Sequence, residues 1–177
     1  MLTRYLNAKE LLPRGNMRNA LLGFLVVAAG CGADPGASGS RGGDAQSIVE
    51  DNIVYRAETL IMESFPVQLR ANVHITNLRS APVTVTFRDG CLVYLRVYRD
   101  AARTSLAYDS EKVEGCTDAL VPVSVGAGQS KTVSARTISA ADILGDSLPN
   151  GTYYFSAVVR PETQRITLHA GSAALAR

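Results

Sequence analysis

The chain has 177 residues, with 18 lysines and arginines against 16 aspartates and glutamates, a formal charge of +2. That length, with 46% hydrophobic residues, suffices for one domain with its own core. A chain so close to neutral, its arginines scattered, has no electrostatic case for gripping nucleic acid. The first element is the apolar run from Ala20 to Ala29, preceded by Arg14 and Arg18 and followed by Gly30 and Cys31. At about ten residues it is too short for a bilayer that needs roughly 20, and it reads as the hydrophobic core of a signal peptide. Met17, followed by Arg18 and Asn19, makes a more economical start than Met1. The next stretch, from Gly32 to Asp44, is glycine, serine, alanine and charge, with almost no side chain to bury, and is expected to be a flexible tether.

The order Val26-Val27-Ala28-Ala29-Gly30-Cys31 resembles the lipobox of a bacterial lipoprotein. The resemblance implies cleavage before Cys31, a diacylglyceryl group on its sulfur and commonly an amide-linked acyl chain such as palmitate. Several chains anchor stably where one is marginal. The implied organisation is a signal peptide over 1–30, a lipidated tether over 31–47 and a folded domain over 48–177. Gly32, standing where an aspartate usually signals inner-membrane retention, favours the outer membrane in a two-membrane cell. Removing Arg4, Lys9, Arg14, Arg18 and Glu10 with the signal leaves 14 basic and 15 acidic residues, a charge near −1. With Cys31 assigned to lipid, Cys91 and Cys116 form an even pair in an oxidising compartment, which favours a disulfide. Closing a loop of about 25 residues stabilises by roughly 3 to 3.5 kcal/mol in the chain-entropy account. The alternative, a two-cysteine metal site, has no histidine close in sequence.

Beyond the tether the signal is period two. Ile53 to Met62 reads as a first strand. From Phe65, one face carries Phe65, Val67, Leu69, Ala71, Val73 and Ile75 while Gln68, Arg70, Asn72, His74 and Thr76 take the other, the mark of a half-buried antiparallel strand. Asn77 to Pro82 is turn material, Val83, Val85 and Phe87 resume the alternation, and Asp89-Gly90 signals a hairpin. Cys91 to Tyr98 is apolar on one side and mixed on the other, as expected of a central strand. Thr104 to Tyr108 is a short strand and Asp109 to Asp118 a polar loop. Val121 to Val125 is a strand that Pro122 places at an edge, and Gln129 to Thr137 is another. Ser139-Ala140-Ala141-Asp142 with Gly145 predicts one helical turn. Thr152 to Arg160 and Arg165 to Ala170 are the last strands. Eight or nine short strands separated by turns predict an all-β fold, an antiparallel β-sandwich.

The succession of Val73 to Ser80, Val83 to Phe87, Leu92 to Asp100, Gly126-Ala127-Gly128-Gln129 and Leu148 to Tyr153 resembles the immunoglobulin-like domain of the BsuPI family, named for a bacterial intracellular proteinase inhibitor. The likeness covers roughly Val67 to Val159. It implies an immunoglobulin-like sandwich and raises proteinase inhibition as an alternative function. The chain departs from the family pattern in having no tryptophan, and no inhibitory loop carries over residue by residue.

Candidates for chemistry are few. His74 falls on the polar face of its strand and His169 in the last strand; neither has ligand partners at zinc spacing. No Gly-x-Ser-x-Gly elbow occurs. Asp109, Glu111, Glu114 and Asp118 read as a solvated acidic loop rather than a calcium site. Asn150-Gly151 is a turn pair, and Tyr153 is placed to form a tyrosine corner. Tyr94, Arg96, Tyr98 and Arg99 could make a binding face, both residue types being enriched at interfaces; ordinary sheet cover is the other reading. The expectation is a non-enzymatic lipoprotein of the cell envelope, without cofactor, metal or small-molecule substrate, attached to the membrane through its lipid and binding an envelope protein or component.

Overall fold

The computed structural model describes residues 37–39 and 45–177. The apolar run, Cys31 and most of the expected tether therefore lie outside the described residues. Twelve strands and two short helices follow one another. They are β1 (Ala37–Gly39), β2 (Ser47–Glu50), β3 (Ile53–Met62), β4 (Gln68–Asn77), β5 (Val83–Phe87), β6 (Tyr94–Tyr98), β7 (Leu106–Asp109) and α1 (Ser110–Val113). Then come β8 (Val121–Val125), β9 (Ser130–Ser134), β10 (Ile138–Ser139), α2 (Ala140–Leu144), β11 (Gly151–Val159) and β12 (Ile166–Leu175).

All pairings are antiparallel. β3 and β4 pair along their full lengths, from Ile53 opposite Asn77 to Met62 opposite Gln68. β2 and β1 share the outer edge of β3, at its start and its end respectively. β9 and β10 divide the far edge of β4 in the same way. The second sheet runs β12-β11-β6-β7, and β5 with β8 forms a separate two-stranded ribbon. Pro122, whose ring removes a ladder donor, sits in β8, a strand paired on one side only.

The alternation decides which faces meet. Leu69, Ala71, Val73 and Ile75 of β4 are buried, together with Val93, Leu95 and Val97, Phe155, Ala157 and Val159 of β11, and Leu168 and Ala170 of β12, in one hydrophobic cluster. Two antiparallel sheets thus bury one face each against the other, and the chain is an immunoglobulin-like β-sandwich. Tyr153, at the start of β11, donates its hydroxyl to the carbonyl of Pro149 at 2.7 Å, the tyrosine corner of such sandwiches. Ser139 caps α2 by accepting from the amide of Asp142 at 3.0 Å, and Gly145 ends it at φ +51°.

The structure departs from the sequence reading in four places. Phe65 does not join the buried face of β4 but stands wholly exposed. The strand begins three residues later at Gln68, and Ser64, whose amide donates to Met62 O and whose hydroxyl donates to Pro66 O, holds a turn there instead. Asp89-Gly90 does not close a β5–β6 hairpin either, since β5 pairs with β8 while β6 pairs with β11 and β7. Asp89 Oδ1 accepts from the amide of Cys91 at 3.0 Å, so the pair forms an Asx turn in a crossover between sheets. Gly90 is needed there because a Cβ would lie 2.4 Å from Thr117 Oγ1. The segment Asp109 to Asp118, expected to be loop throughout, opens with α1, whose amide at Glu111 is capped by Asp109. Ala37–Gly39, inside the expected tether, pairs with β3.

Candidate functional site

The outer face of the second sheet is where Tyr94, Arg96, Tyr98 and Arg99 fall. The two tyrosines are not exposed: Tyr94 is 3% and Tyr98 9% accessible. Their strand is flanked on both sides by β11 and β7, and α1 packs against it. Arg99 alone of the four is open to solvent, with its Nε donating to Ser105 Oγ. The expectation that Tyr94 and Tyr98 are exposed is therefore corrected: both are covered, while Arg96 is half-buried and Arg99 open.

Across this face runs a network of charge. Arg96 reaches Asp109 Oδ2 on the neighbouring strand at 3.1 Å and Glu111 Oε2 at 3.2 Å. Glu111 also receives Arg165 through both carboxylate oxygens, and Arg160 at 3.4 Å. Arg160 continues to Asp89 at 3.2 Å. The Arg165 hydrogen bond, aided by the positive charges of Arg165, Arg160 and Arg96, holds the Glu111 carboxyl below the ordinary glutamate range although burial opposes it. Tyr94 lies at the end of this network. Burial above all, then the nearby Asp89 carboxylate, pushes its hydroxyl up to about 12, with Arg160 pulling the other way. It remains a proton donor, 3.4 Å from Cys116 Sγ.

Cys91 and Cys116 are joined in a disulfide, with Cα atoms 5.6 Å apart. Glu114, just past α1, brings a carboxylate oxygen into the same place, so that it and both sulfurs lie within 4.8 Å of one another. Burial raises the Glu114 carboxyl above its ordinary range, and Arg136 offsets this in part. A cleft of about 240 Å³ opens beside the cystine between Leu92, Val93, Glu114, Ser134 and Arg136. Past Glu114 and Arg136 lies a wider, open groove of about 880 Å³, floored by Tyr108, Ile138 and Gln68 and edged by Pro66 and Val113. Val113 is 66% accessible, and Phe65 stands exposed next to Pro66.

Sequence reasoning placed the two cysteines together and set Tyr153 in its corner, but did not bring Glu114 to the cystine or Val113 to a groove. The single signal available for the last was Val113, apolar within an otherwise polar loop. His74 is half-exposed between Glu58 Oε1 at 3.0 Å and Thr132 Oγ1 at 2.9 Å, a cross-strand surface contact. His169 lies on the exposed side of β12. No described helix is long and apolar enough to cross a membrane.

No family model and no curated protein matches the chain. Among solved structures, it is similar to part of a β-glucosidase involved in saponin metabolism from intestinal bacteria, at 16% identity and a TM-score of 0.32. That match covers 67% of this chain and 16% of the enzyme. It is also similar to the X-ray structure of the Northeast Structural Genomics Consortium target SoR45, at 10% identity and a TM-score of 0.31, over 73% of this chain and 90% of that one. Likenesses this distant carry no functional argument.

Proposed function

We propose that the chain is a lipid-anchored, non-enzymatic protein of the cell envelope whose sandwich binds another protein or an envelope component. The observation that carries this reading is the open groove lined by Pro66, Tyr108, Val113 and Ile138, with Val113 presented to water in it and Phe65 exposed next to Pro66. Large apolar side chains grouped at a concavity, with charged Glu114 and Arg136 beside them, have the composition of a binding site. The anchor rests on the sequence from Ala20 to Cys31 and the glycine-rich stretch after it. A photo-crosslinking residue at position 65 or 113 of the membrane-bound protein is expected to capture a partner that the same residue at exposed Val49 does not, and Phe65→Ala is expected to abolish capture from position 113. Equal labelling from all three positions would remove the groove from the proposal. Cys31→Ser tests the anchor by detergent partitioning: the wild type should enter the detergent phase and the variant should stay uncleaved or be released.

A second reading, proteinase inhibition of the BsuPI type, is favoured by one observation. Phe65 projects from a short connection that Ser64 braces through its hydroxyl to the Pro66 carbonyl at 2.9 Å, a presentation suited to a hydrophobic primary pocket. Slowed cleavage by proteases with such pockets, lost in Phe65→Ala, would favour it over the first reading.

A further inference from the structure

The crossover after β5 delivers Cys91, and the chain leaving α1 delivers Glu114 and Cys116, so three donors of metal-binding type converge from two segments. All three residues are half-buried, and they line or adjoin a cleft open enough to admit a ligand. As long as the sulfurs are bonded to each other they are poor donors, because thiolate is the ligand form. We infer that reduction of this cystine by a dithiol converts Cys91, Cys116 and Glu114 into a site for one thiophilic divalent cation of the zinc class. The same three residues thus hold a disulfide when oxidised and a metal when reduced.

The steps balance. The dithiol gives up two electrons and two protons, closing its own disulfide, and the Cys91–Cys116 bond opens to two thiols. The cation then forms two metal–sulfur bonds, releasing both thiol protons to solvent, and the Glu114 carboxylate supplies the third ligand. Metal–sulfur bonds of about 2.3 Å at a tetrahedral centre set the sulfurs about 3.8 Å apart. The Cα atoms of the two cysteines are 5.6 Å apart, a spacing that can accommodate that sulfur separation after side-chain rotation. With three protein donors, a tetrahedral cation would have one position left for water. Three surroundings favour the reduced, metal-bound form. The Tyr94 hydroxyl, which keeps its proton, is placed to donate to Cys116 Sγ, and such outer contacts orient and stabilise a ligating sulfur. Glu114 already holds a carboxylate oxygen within 4.8 Å of both sulfurs, so it is in place as the third donor. Arg136, on the cleft wall, offsets the negative charge left by three anionic ligands around a dication.

Full-length protein in detergent, reduced with a phosphine and freed of it, is titrated with Cd²⁺ while the thiolate-to-metal charge-transfer absorption is followed in the near ultraviolet. One Cd²⁺ per reduced chain and none per oxidised chain is expected, with the far-ultraviolet β signal unchanged on reduction. Added to chain already loaded with Zn²⁺, Cd²⁺ should displace it and bring up the same band, because thiolates prefer the softer cation. Cys116→Ser is expected to abolish the band. Because a cysteine variant can also fail by misfolding, Glu114→Gln is the deciding one, with its fold checked in the same way. It keeps both thiols and should weaken binding by about tenfold or more. Absence of uptake by the reduced chain, equal uptake by the oxidised chain, or an unchanged affinity in Glu114→Gln would each overturn the site. Uptake that appears only after the β signal has collapsed would likewise assign it to an unfolded dithiol and overturn it.

Discussion

Glu111 and Glu114 stand one helical turn apart and are pushed in opposite directions, so they leave opposite marks on stability. The carboxyl of Glu111 is depressed in the folded chain, chiefly by Arg165. Its contribution is therefore fully present above the ordinary glutamate value of about 4.3 and is lost as the pH falls through the lower, folded value. Urea midpoints are expected to drop on acidification below about pH 4, and Glu111→Gln should flatten that acid limb while lowering the midpoint at neutral pH. Glu114 is raised by burial. Its favourable form is the protonated one, present below the unfolded value and lost as the pH rises through the folded one. Glu114→Gln is accordingly expected to raise the urea midpoint at neutral pH and leave it unchanged near about pH 4. A residue whose replacement stabilises the fold is one the fold does not need, in keeping with a ligand role at the reduced cystine.

At the scale of the elements, the join between β4 and its neighbours depends on one buried side chain. Asn77 Nδ2 donates to the carbonyls of Ala81 at 2.8 Å, Gly126 at 3.1 Å and Val125 at 3.2 Å, while its Oδ1 accepts from the amide of Arg79. It ties the β4–β5 connection to the turn that follows β8. Asn77→Ala removes four hydrogen bonds at once, one of them to the buried Val125 carbonyl, and should cost about 2 to 3 kcal/mol in denaturant unfolding. Sequence reading took this residue as turn material, because nothing local distinguishes a brace from a turn former. The strands themselves were legible, since Leu69, Ala71, Val73 and Ile75 keep strict alternation with polar residues. Alternation also misled, in two ways. It ran past the end of its strand to Phe65, where Ser64 had already turned the chain. At Tyr94 and Tyr98 it identified the outer face correctly but could not reveal that Arg96 and α1 cover it. The cystine was legible from cysteine parity, but the approach of Glu114 depends on a helical turn at Ser110–Val113 that four residues do not announce.

For the molecule as a whole, the question is where the independently folding unit begins. Every residue of the hydrophobic cluster lies between Ile53 and Leu175, with Ile48 packed against its edge. β1 adds a pairing of three residues at the end of β3. Gln46 does more: its amide donates to the His169 carbonyl at 2.9 Å and its own carbonyl accepts from Ala57 at 3.4 Å, linking the first sheet to the second. β2 then completes the edge of β3 with four register pairs. Two truncations separate these contributions. A chain beginning at residue 45 loses only β1 and is expected to fall by about 1 kcal/mol or less in urea unfolding. A chain beginning at residue 51 loses Gln46, Ile48 and the β2 ladder and should fall by about 2 to 4 kcal/mol. Leu95→Ala in the shorter-deletion background calibrates the scale, since opening a cavity at a side chain 1% accessible should cost about 2 to 5 kcal/mol. Equal losses from the two truncations would move the start of the unit to β1, and with it the length of chain left between Cys31 and the first paired residue. That length sets how far from an anchored membrane the groove at Phe65 can search for its partner.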